Sequence, residues 1–301
     1  MRGRFPARSV ISPVLPASTV SSVLPVLPVL PVISVLFVLL LPTGPLSAQG
    51  RWLPDVAPFS YPSASPRVTG LVGRYFRATT SDNDFGPSTE GEAAIGGNLP
   101  LVLLRRGPSP ISLGFGAEVY GRFNLTNPKS ALVSNDWTVG FNIKADFRKW
   151  RPAVELYHES SHLGDEYRDD YNATRLDWTR ELAAGWLGYV AGPFTLTGGI
   201  TRVLRDQLGL TGWSTALAAD YRGPLVRPLG IRLAPVAGIY ADWWEDSDWK
   251  VSTSARIGVA IPGAVRHEFG FGLIGHWGRS TQRQFYQRAS EYYGAELRFT
   301  L

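Results

Sequence analysis

The chain has 301 residues and a formal charge of +5, and three of its basic residues, Arg2, Arg4 and Arg8, lie in an N-terminal segment without acidic residues. The rest of the chain is nearly neutral, which disfavours nucleic acid as a partner, because such binding needs many basic side chains to neutralise phosphates. The absence of cysteine excludes disulfides and thiolate metal sites.

The N-terminal segment has the order of an export signal. Basic residues are followed by an apolar run that ends in ISVLFVLLL at 33–41 and then by PTGPLSA before Gln49. We predict that residues 1–48 are a signal peptide, cleaved after Ala48. A membrane anchor is the alternative, but the uninterrupted apolar run is shorter than the roughly 20 residues that a spanning helix needs.

Residues 49–65 are rich in proline and include most of WLPDVAPFSYPSASP. Proline cannot donate a backbone hydrogen bond to a sheet, so we predict no strand here but a periplasmic lead-in or plug. The outer-membrane β-barrel is predicted to occupy residues 66–301.

From residue 66 onward, polarity alternates with a period of two, which is typical of β-strands. In WTVGFNIKADF, Phe141 and Ile143 alternate with Asn142 and Lys144, and in ISLGFGAEVYGR the apolar positions alternate with polar ones that include Glu118. Burying such charges in a sandwich core requires dense pairing, whereas a polar barrel lumen accepts them.

The sequence therefore predicts an all-β fold, an antiparallel transmembrane β-barrel of about 12 strands. A soluble secreted sandwich or a lipocalin-like barrel is the alternative. The candidate strands are 66–78, 92–105, 109–124, 135–148, 150–162, 174–190, 193–205, 210–222, 229–244, 248–261, 264–278 and 287–301.

Aromatic residues at the strand ends predict girdles at the two membrane interfaces. The tryptophans assigned to them are Trp137, Trp150, Trp186, Trp213, Trp243, Trp244, Trp249 and Trp277. The chain ends in YYGAELRFTL, which resembles the terminal strand that the barrel assembly machinery recognises, so outer-membrane lipids and that machinery are the expected partners. Charged side chains such as Glu181 are expected to face the lumen.

The motif HESSH at 158–162 fits the zinc-protease pattern, with Glu159 as general base and Glu181 as a third ligand. That chemistry needs a helix, because on a strand the two histidines lie roughly 13 Å apart. The residues leading into the motif alternate as in a strand, so we predict no metal site.

On a strand, His158 and Ser160 point to the same, lipid-facing side. A hairpin turning near Glu166 would place Asn172 opposite Ser160. The spacing H-x-S followed by N resembles that of outer-membrane phospholipase A and, with Glu in the third place, of lipid A 3-O-deacylase. The resemblance implies a catalytic base in His158, a nucleophile in Ser160 and an orienting group in Asn172. The phospholipase follows its Ser with Asn-Gly, whereas this chain has Ser161-His162.

LYHESSHLGDEY, HWGRSTQRQFYQRASEYYGAELRF and FSYPSASPR resemble a family of outer-membrane proteins catalogued as DUF1207, over about residues 55–301. The resemblance implies a barrel and no particular activity or cofactor. It draws attention to a polar group at one end of the strands, either a binding site or a network that orders the loops. The candidate binding residues are Ser161, His162, Asp165, Glu166, Ser280 and Gln284.

The sequence thus leaves two functional hypotheses. The first is a non-enzymatic barrel, acting as a rigid scaffold or a narrow pore in the outer membrane of a Gram-negative-type bacterium. The second is a lipid-directed serine hydrolase, of phospholipase or lipid A deacylase type, on the outer barrel wall.

Overall fold

The computed structural model describes residues 49–300, apart from 54–57, 107–108, 128, 211 and 264–266. The predicted signal peptide lies outside the described residues. No helix in the described part of the chain has the length and apolar character to cross a membrane.

Twelve antiparallel strands form a closed barrel in which each strand pairs with its sequence neighbours, and the ring closes between the first barrel strand and the last. The predicted barrel of about 12 strands is therefore confirmed. The strands are β1 Gln49–Trp52, then the barrel strands β2 Gly70–Thr80, β3 Thr89–Arg106, β4 Ser109–Asn124, β5 Leu132–Ala145, β6 Trp150–Leu163, β7 Trp178–Ala191, β8 Phe194–Asp206, β9 Trp213–Arg222, β10 Ala234–Trp244, β11 Val251–Pro262, β12 Glu268–Arg279 and β13 Ala289–Thr300, with one helix, α1 Asp165–Tyr171, between β6 and β7.

The short strand β1 lies outside the ring and pairs with the far end of β3, from Gln49 opposite Arg105 to Trp52 opposite Val102. The expectation that residues 49–65 contain no strand is therefore wrong for residues 49–52. β1 ends before Pro54, the first proline of the segment, so its backbone N–H groups are available to the ladder.

The alternation seen in the sequence sorts side chains between the outer wall and the lumen. On β5, Phe141 is 57% exposed on the wall, whereas Lys144 is 1% exposed in the lumen. Such a wall suits hydrocarbon, because every backbone group is paired within the closed ladder. Exposed apolar wall residues include Leu71, Ile95, Leu113, Val154, Leu156, Leu187, Leu196, Ile200, Leu217, Ile239, Ile257, Phe271, Leu273 and Leu297.

Two of the tryptophans assigned to the girdles face the lumen instead. The Trp186 indole N–H donates to Glu155 at 3.2 Å, and that of Trp244 donates to Asp242 at 2.8 Å. Trp137 and Trp277, each 50% exposed, do lie on the wall. An indole suits both environments because it has an apolar face and one donor.

The two ends of the barrel differ in the length of their connections. One end, here called the loop rim, carries segments 81–88, 125–131, 164–177, 207–212, 245–250 and 280–288, with α1 in the third of these. The opposite end, the turn rim, includes the short connections 146–149 and 192–193 and one longer connection, 223–233.

The lumen is filled with ion pairs that tie strands together. Arg74 contacts Glu92 at 2.5 Å and Glu296 at 2.9 Å, and Glu296 also binds Arg256 and Arg298, each at 2.8 Å. The side chains of Arg74, Glu92, Arg256 and Glu296 are all buried. Each of these charges therefore needs its partners to offset the cost of desolvation.

Two segments of the chain also occupy the lumen, and we call them the lumen segments. In the first, residues 59–69, Ser63 donates its backbone N–H to Asp220 at 2.9 Å and Arg67 pairs with Asp136. In the second, the loop 280–288 that follows β12, Arg283 donates to Glu159 at 3.0 Å. Together with the ion pairs, they leave little open space along the barrel axis.

Candidate functional site

The candidate site lies on the outer wall, near the loop rim, along the outward row of β6. Val154 and Leu156 are exposed apolar residues, and His158, Ser160 and His162 continue the same row. Ser160 lies opposite Trp137 of β5, which is exposed on the wall. The row therefore changes from apolar to polar at the height where an aromatic side chain marks the edge of the hydrocarbon.

His158 is oriented by a carboxylate from the neighbouring strand. Its Nδ1 lies 2.9 Å from Oε1 of Glu181, the residue directly opposite it on β7. A carboxylate only accepts hydrogen bonds, so Nδ1 carries the proton of this contact, and Nε2 is the ring nitrogen that faces away from Glu181. The expectation that Glu181 faces the lumen is wrong: its side chain is 48% exposed on the outer wall.

Ser160 has a different neighbour from the one predicted. It lies opposite Thr179 of β7, and Asn172 is instead the left-handed C-cap of α1, with φ of 46°. The predicted hairpin was too tight, because α1 lengthens the connection and delays β7 until Trp178. No hydrogen bond from the Ser160 hydroxyl joins it to another described residue, and its Cα lies roughly 7 Å from that of His158.

A basic residue lies above this pair. Arg175 donates from Nη2 to Nδ1 of His162 at 2.6 Å. Because a guanidinium cannot accept, His162 is neutral with its proton on Nε2. The outward row of β6 thus carries, from the membrane toward the loop rim, the imidazole of His158, the hydroxyl of Ser160 and the imidazole of His162. The carboxylate of Glu181 lies beside the first of these on β7, and the guanidinium of Arg175 lies beside the last.

HESSH lies within the strand β6, so the helix that the zinc hypothesis requires is not formed. Within the part of the chain that the structure describes, no group of three or more His, Cys, Asp or Glu side chains could hold a metal ion.

The residues of the other candidate set lie around the loop rim, where most of them contact loops. The Ser161 hydroxyl donates to Asp136, and the Gln284 amide donates to the Ser161 carbonyl at 3.0 Å and to that of Leu176 at 3.0 Å. The Ser280 hydroxyl donates to Asp82 at 2.5 Å. These contacts attach the second lumen segment and the connection after α1 to the barrel.

The two acidic members of that set are exposed on α1. Asp165 pairs with Arg168 of the same helix at 3.0 Å, and Glu166 points to solvent. Both lie in the first turn of the helix, where the helix dipole favours acidic side chains. Their positions favour a role in helix stability.

The helix α1 is held to the loop rim by Tyr167. Its hydroxyl donates to Oδ2 of Asp84 at 2.5 Å, and its ring packs edge-on against Phe85 and Phe285. The hydrogen bond from Tyr167, helped by Arg288, holds the pKa of the Asp84 carboxyl below its ordinary value of 3.8. Burial, with the nearby Asp84, raises the pKa of the Tyr167 hydroxyl.

Residues 40–301 match the model of one protein family, described as protein of unknown function (DUF1207). The chain belongs to the DUF1207 family. The resemblance in LYHESSHLGDEY and in the C-terminal strand is thereby confirmed. No curated protein sequence matches the chain significantly.

Solved structures similar to this DUF1207 barrel are outer-membrane barrels. Outer membrane phospholipase A from Escherichia coli matches with a TM-score of 0.51 and 13% identity, covering 86% of this chain and 95% of that one. A KdgM porin matches with a TM-score of 0.41 and 10% identity over 76% and 98% of the two chains. At 13% identity the comparison with the phospholipase establishes the fold alone, an outer-membrane-type β-barrel.

In this DUF1207 protein, the sequence placed His158 and Ser160 on the outer wall, where the structure has them, but it missed the contact between Glu181 and His158. A carboxylate on the outward row of β7 was detectable in principle, since Thr179, Glu181, Ala183 and Gly185 alternate with larger inward residues. The inward residues include Trp178 and Leu182, which are apolar like wall residues, so the pattern did not reveal which face was which.

Proposed function

We propose that this barrel is a lipid-directed serine esterase of the outer membrane, exported with removal of residues 1–48, whose active site is Ser160, His158 and Glu181 on the outer wall. The observation that carries the proposal is the 2.9 Å contact between His158 Nδ1 and Glu181 Oε1 beside an outward Ser. His158 and Ser160 are two residues apart on the same face, so rotation of their side chains would bring Nε2 and the hydroxyl together, and a base within reach of a hydroxyl is the arrangement that nucleophilic catalysis requires.

The proposed mechanism follows from the tautomer of His158. Nε2 accepts the proton of the Ser160 hydroxyl as its oxygen attacks the ester carbonyl, and Glu181 stabilises the imidazolium that forms. Collapse of the tetrahedral intermediate breaks the ester C–O bond, and the imidazolium returns its proton to the leaving alcohol. Water then hydrolyses the acyl-serine with His158 as base, which releases the fatty acid and restores the hydroxyl.

The substrate class follows from where the residues lie. The row faces lipid rather than the lumen, and it stands at the level of an exposed tryptophan, where headgroups and ester bonds meet the hydrocarbon. Arg175 above Ser160 supplies a guanidinium that suits a phosphate or a developing oxyanion. We therefore propose a phospholipid or the acylated glycolipid of the outer leaflet as substrate.

A second candidate function is a closed scaffold without an enzymatic role, and the filled lumen favours it. Buried ion pairs and two lumen segments occupy the barrel, so we expect no large, stable channels in planar-bilayer recordings. Channels of high conductance would contradict the packing argument and support a pore.

The test is to incubate the purified barrel in detergent with phospholipid and, separately, with lipopolysaccharide, and to measure released fatty acid. Wild type should release acyl chains, and Ser160→Ala should lose at least about 10³-fold of the rate. Thr253→Ala is the matched control, since Thr253 also lies on the wall opposite an exposed tryptophan, Trp277. Equal rates in wild type and Ser160→Ala, or no release from either substrate, would refute the esterase.

A further inference from the structure

Between the two lumen segments, the barrel encloses a cavity of about 190 Å³. Inward side chains of β4, β6, β7 and β10 form its wall together with residues of both segments. A space of this volume holds one small organic molecule. The outward row of β6 takes no part in it, so the cavity is independent of the proposed esterase.

Three acidic side chains on the cavity wall have no described basic side chain within ion-pair distance. Lys144 and Arg67 attract Glu118, and Arg283 and Arg67 attract Asp242, only from farther away, and no described basic side chain acts on Glu155. Each of the three accepts a hydrogen bond from a neutral donor, and none forms an ion pair with another described residue. The carboxyl groups and their donors are Glu118 with the Tyr120 hydroxyl at 2.7 Å, Glu155 with the Trp186 indole at 3.2 Å, and Asp242 with the Trp244 indole at 2.8 Å.

The arginines that line the cavity form their closest contacts with groups other than these three carboxyl groups. Arg67 pairs with Asp136, and Arg283 contacts Glu159 at 3.0 Å. Arg279 donates to the backbone carbonyl of Gln287. Because a buried charge is unfavourable without a compensating one, the three remaining carboxyl groups make the cavity a favourable place for a cation.

Unsatisfied hydroxyl groups also point to a ligand. Tyr240 lines the cavity and is 9% exposed, yet its hydroxyl has no hydrogen-bond partner among the residues that the structure describes. The same holds for the hydroxyl of Tyr157, which lines the cavity from β6. Buried polar groups in proteins are nearly always hydrogen-bonded, so these two hydroxyls have capacity for a ligand.

The kind of cation follows from the spread of these groups. The acidic side chains do not come close enough to form a metal-ion cluster in the described chain, and the aromatic side chains of Tyr157, Trp186 and Tyr240 line the same cavity. Aromatic faces attract ammonium groups, quaternary ones especially. Carboxyl groups at a distance and rings in contact suit a diffuse organic charge better than a compact metal ion.

We propose that the lumen cavity binds a small organic cation that carries a hydroxyl group, with its ammonium against the aromatic rings between Glu155 and Asp242 and its hydroxyl bonded to Tyr240. The ligand is a free solute, because the closed strand ladder separates the cavity from the hydrocarbon and a lipid headgroup cannot reach it with its chains attached.

The test uses choline as the probe, with its neutral isostere 3,3-dimethyl-1-butanol as the control ligand. Full-length mature barrel is refolded in a detergent without a choline headgroup, in the presence and absence of choline, so that binding does not depend on entry past the loops. Binding is measured by titration calorimetry and by the fluorescence of Trp186 and Trp244, which line the cavity.

We expect saturable choline binding, no binding of the neutral alcohol, and about tenfold weaker binding in Glu155→Gln and in Asp242→Asn. Glu268→Gln, which removes an exposed carboxylate paired with Arg222 at the turn rim, should bind choline as wild type does. Phosphatidylcholine vesicles should not compete, which separates a free solute from a lipid headgroup.

Tyr240→Phe keeps the ring and removes only the hydroxyl, so it tests the site even if the acidic variants fail to refold. It should weaken choline binding and leave binding of tetramethylammonium, which has no hydroxyl, unchanged. The proposal is overturned if choline fails to bind after refolding in its presence, if the neutral alcohol binds equally well, or if the cavity variants match Glu268→Gln. Ser160→Ala should bind choline normally, so failure of the esterase and failure of this site are separate results.

Discussion

Replacing Glu181 with glutamine separates a catalytic role of the His158 contact from a structural one. The change is nearly isosteric and removes the charge that fixes the proton on Nδ1. The glutamine amide can donate to Nδ1 and so favour the other tautomer, in which Nε2 carries the proton and cannot accept one from Ser160. A loss of about 10⁴-fold in kcat follows from an equivalent change in a serine protease triad.

The expected effect on stability is small. The side chains of His158 and Glu181 are 36% and 48% exposed, and contacts between groups so exposed contribute about 0 to 1 kcal/mol. For a domain of this size, that corresponds to a change in Tm of at most about 4 °C. Catalysis and stability therefore respond to Glu181→Gln on very different scales.

The assay combines acyl release from mixed micelles with thermal unfolding of the refolded barrel in the same detergent. Glu268→Gln is the matched control, because Glu268 forms a comparably exposed pair with Arg222 at 2.5 Å at the turn rim. It should show a similarly small change in Tm and full activity. Wild-type rates in Glu181→Gln, or equal losses in the two variants, would refute the assignment of Glu181 as the orienting group.

Three further predictions concern the loop rim and the lumen. Arg283→Met leaves Glu159 buried without its ion-pair partner, and we expect it to destabilise the barrel by about 3 to 5 kcal/mol in thermal unfolding. Adding Glu159→Gln should restore part of this stability. An unchanged Tm in Arg283→Met would show that the pair does not hold the second lumen segment. Tyr167→Phe removes the hydrogen bond to Asp84 and should speed proteolysis within residues 164–177. Tyr171→Phe should not, because the ring of Tyr171 only stacks. Equal cleavage in both variants would contradict the role of Tyr167 in holding the loop. Because the pKa of Asp84 is lowered in the folded loop, its carboxylate stabilises the loop above pH 3.8, and this stabilisation is lost as the pH falls below that value. Cleavage of the loop by an acid protease should therefore rise below pH 3.8 in wild type and rise less in Asp84→Asn. The same rise in both proteins would exclude Asp84 as its cause.

The sequence alone determined the barrel and much of the orientation of its side chains. Phe141 and Lys144 lie on opposite faces because successive residues of a strand alternate, and that rule needs no knowledge of the neighbouring strands. Closure of the sheet followed from a similarly local fact, since strands with one apolar and one polar face need a lipid-facing wall and a wet lumen. The positions of His158 and Ser160 on the outer wall follow from the same alternation along a single strand.

Only the tertiary structure decided which residues meet across strands. The sequence predicted Asn172 as the partner of His158 and placed Glu181 in the lumen. The structure pairs His158 with Glu181 because α1 fixes the length of the connection and hence the register of β7, and register is a property of two strands together. Trp186 faces inward and loop 280–288 enters the lumen because acidic side chains on other strands offer them hydrogen bonds, and Trp244 faces inward beside Asp242 of its own strand. The partners of Trp186 and of loop 280–288 are distant in the sequence, so no local pattern encodes those contacts, whereas Asp242 is only two residues from Trp244.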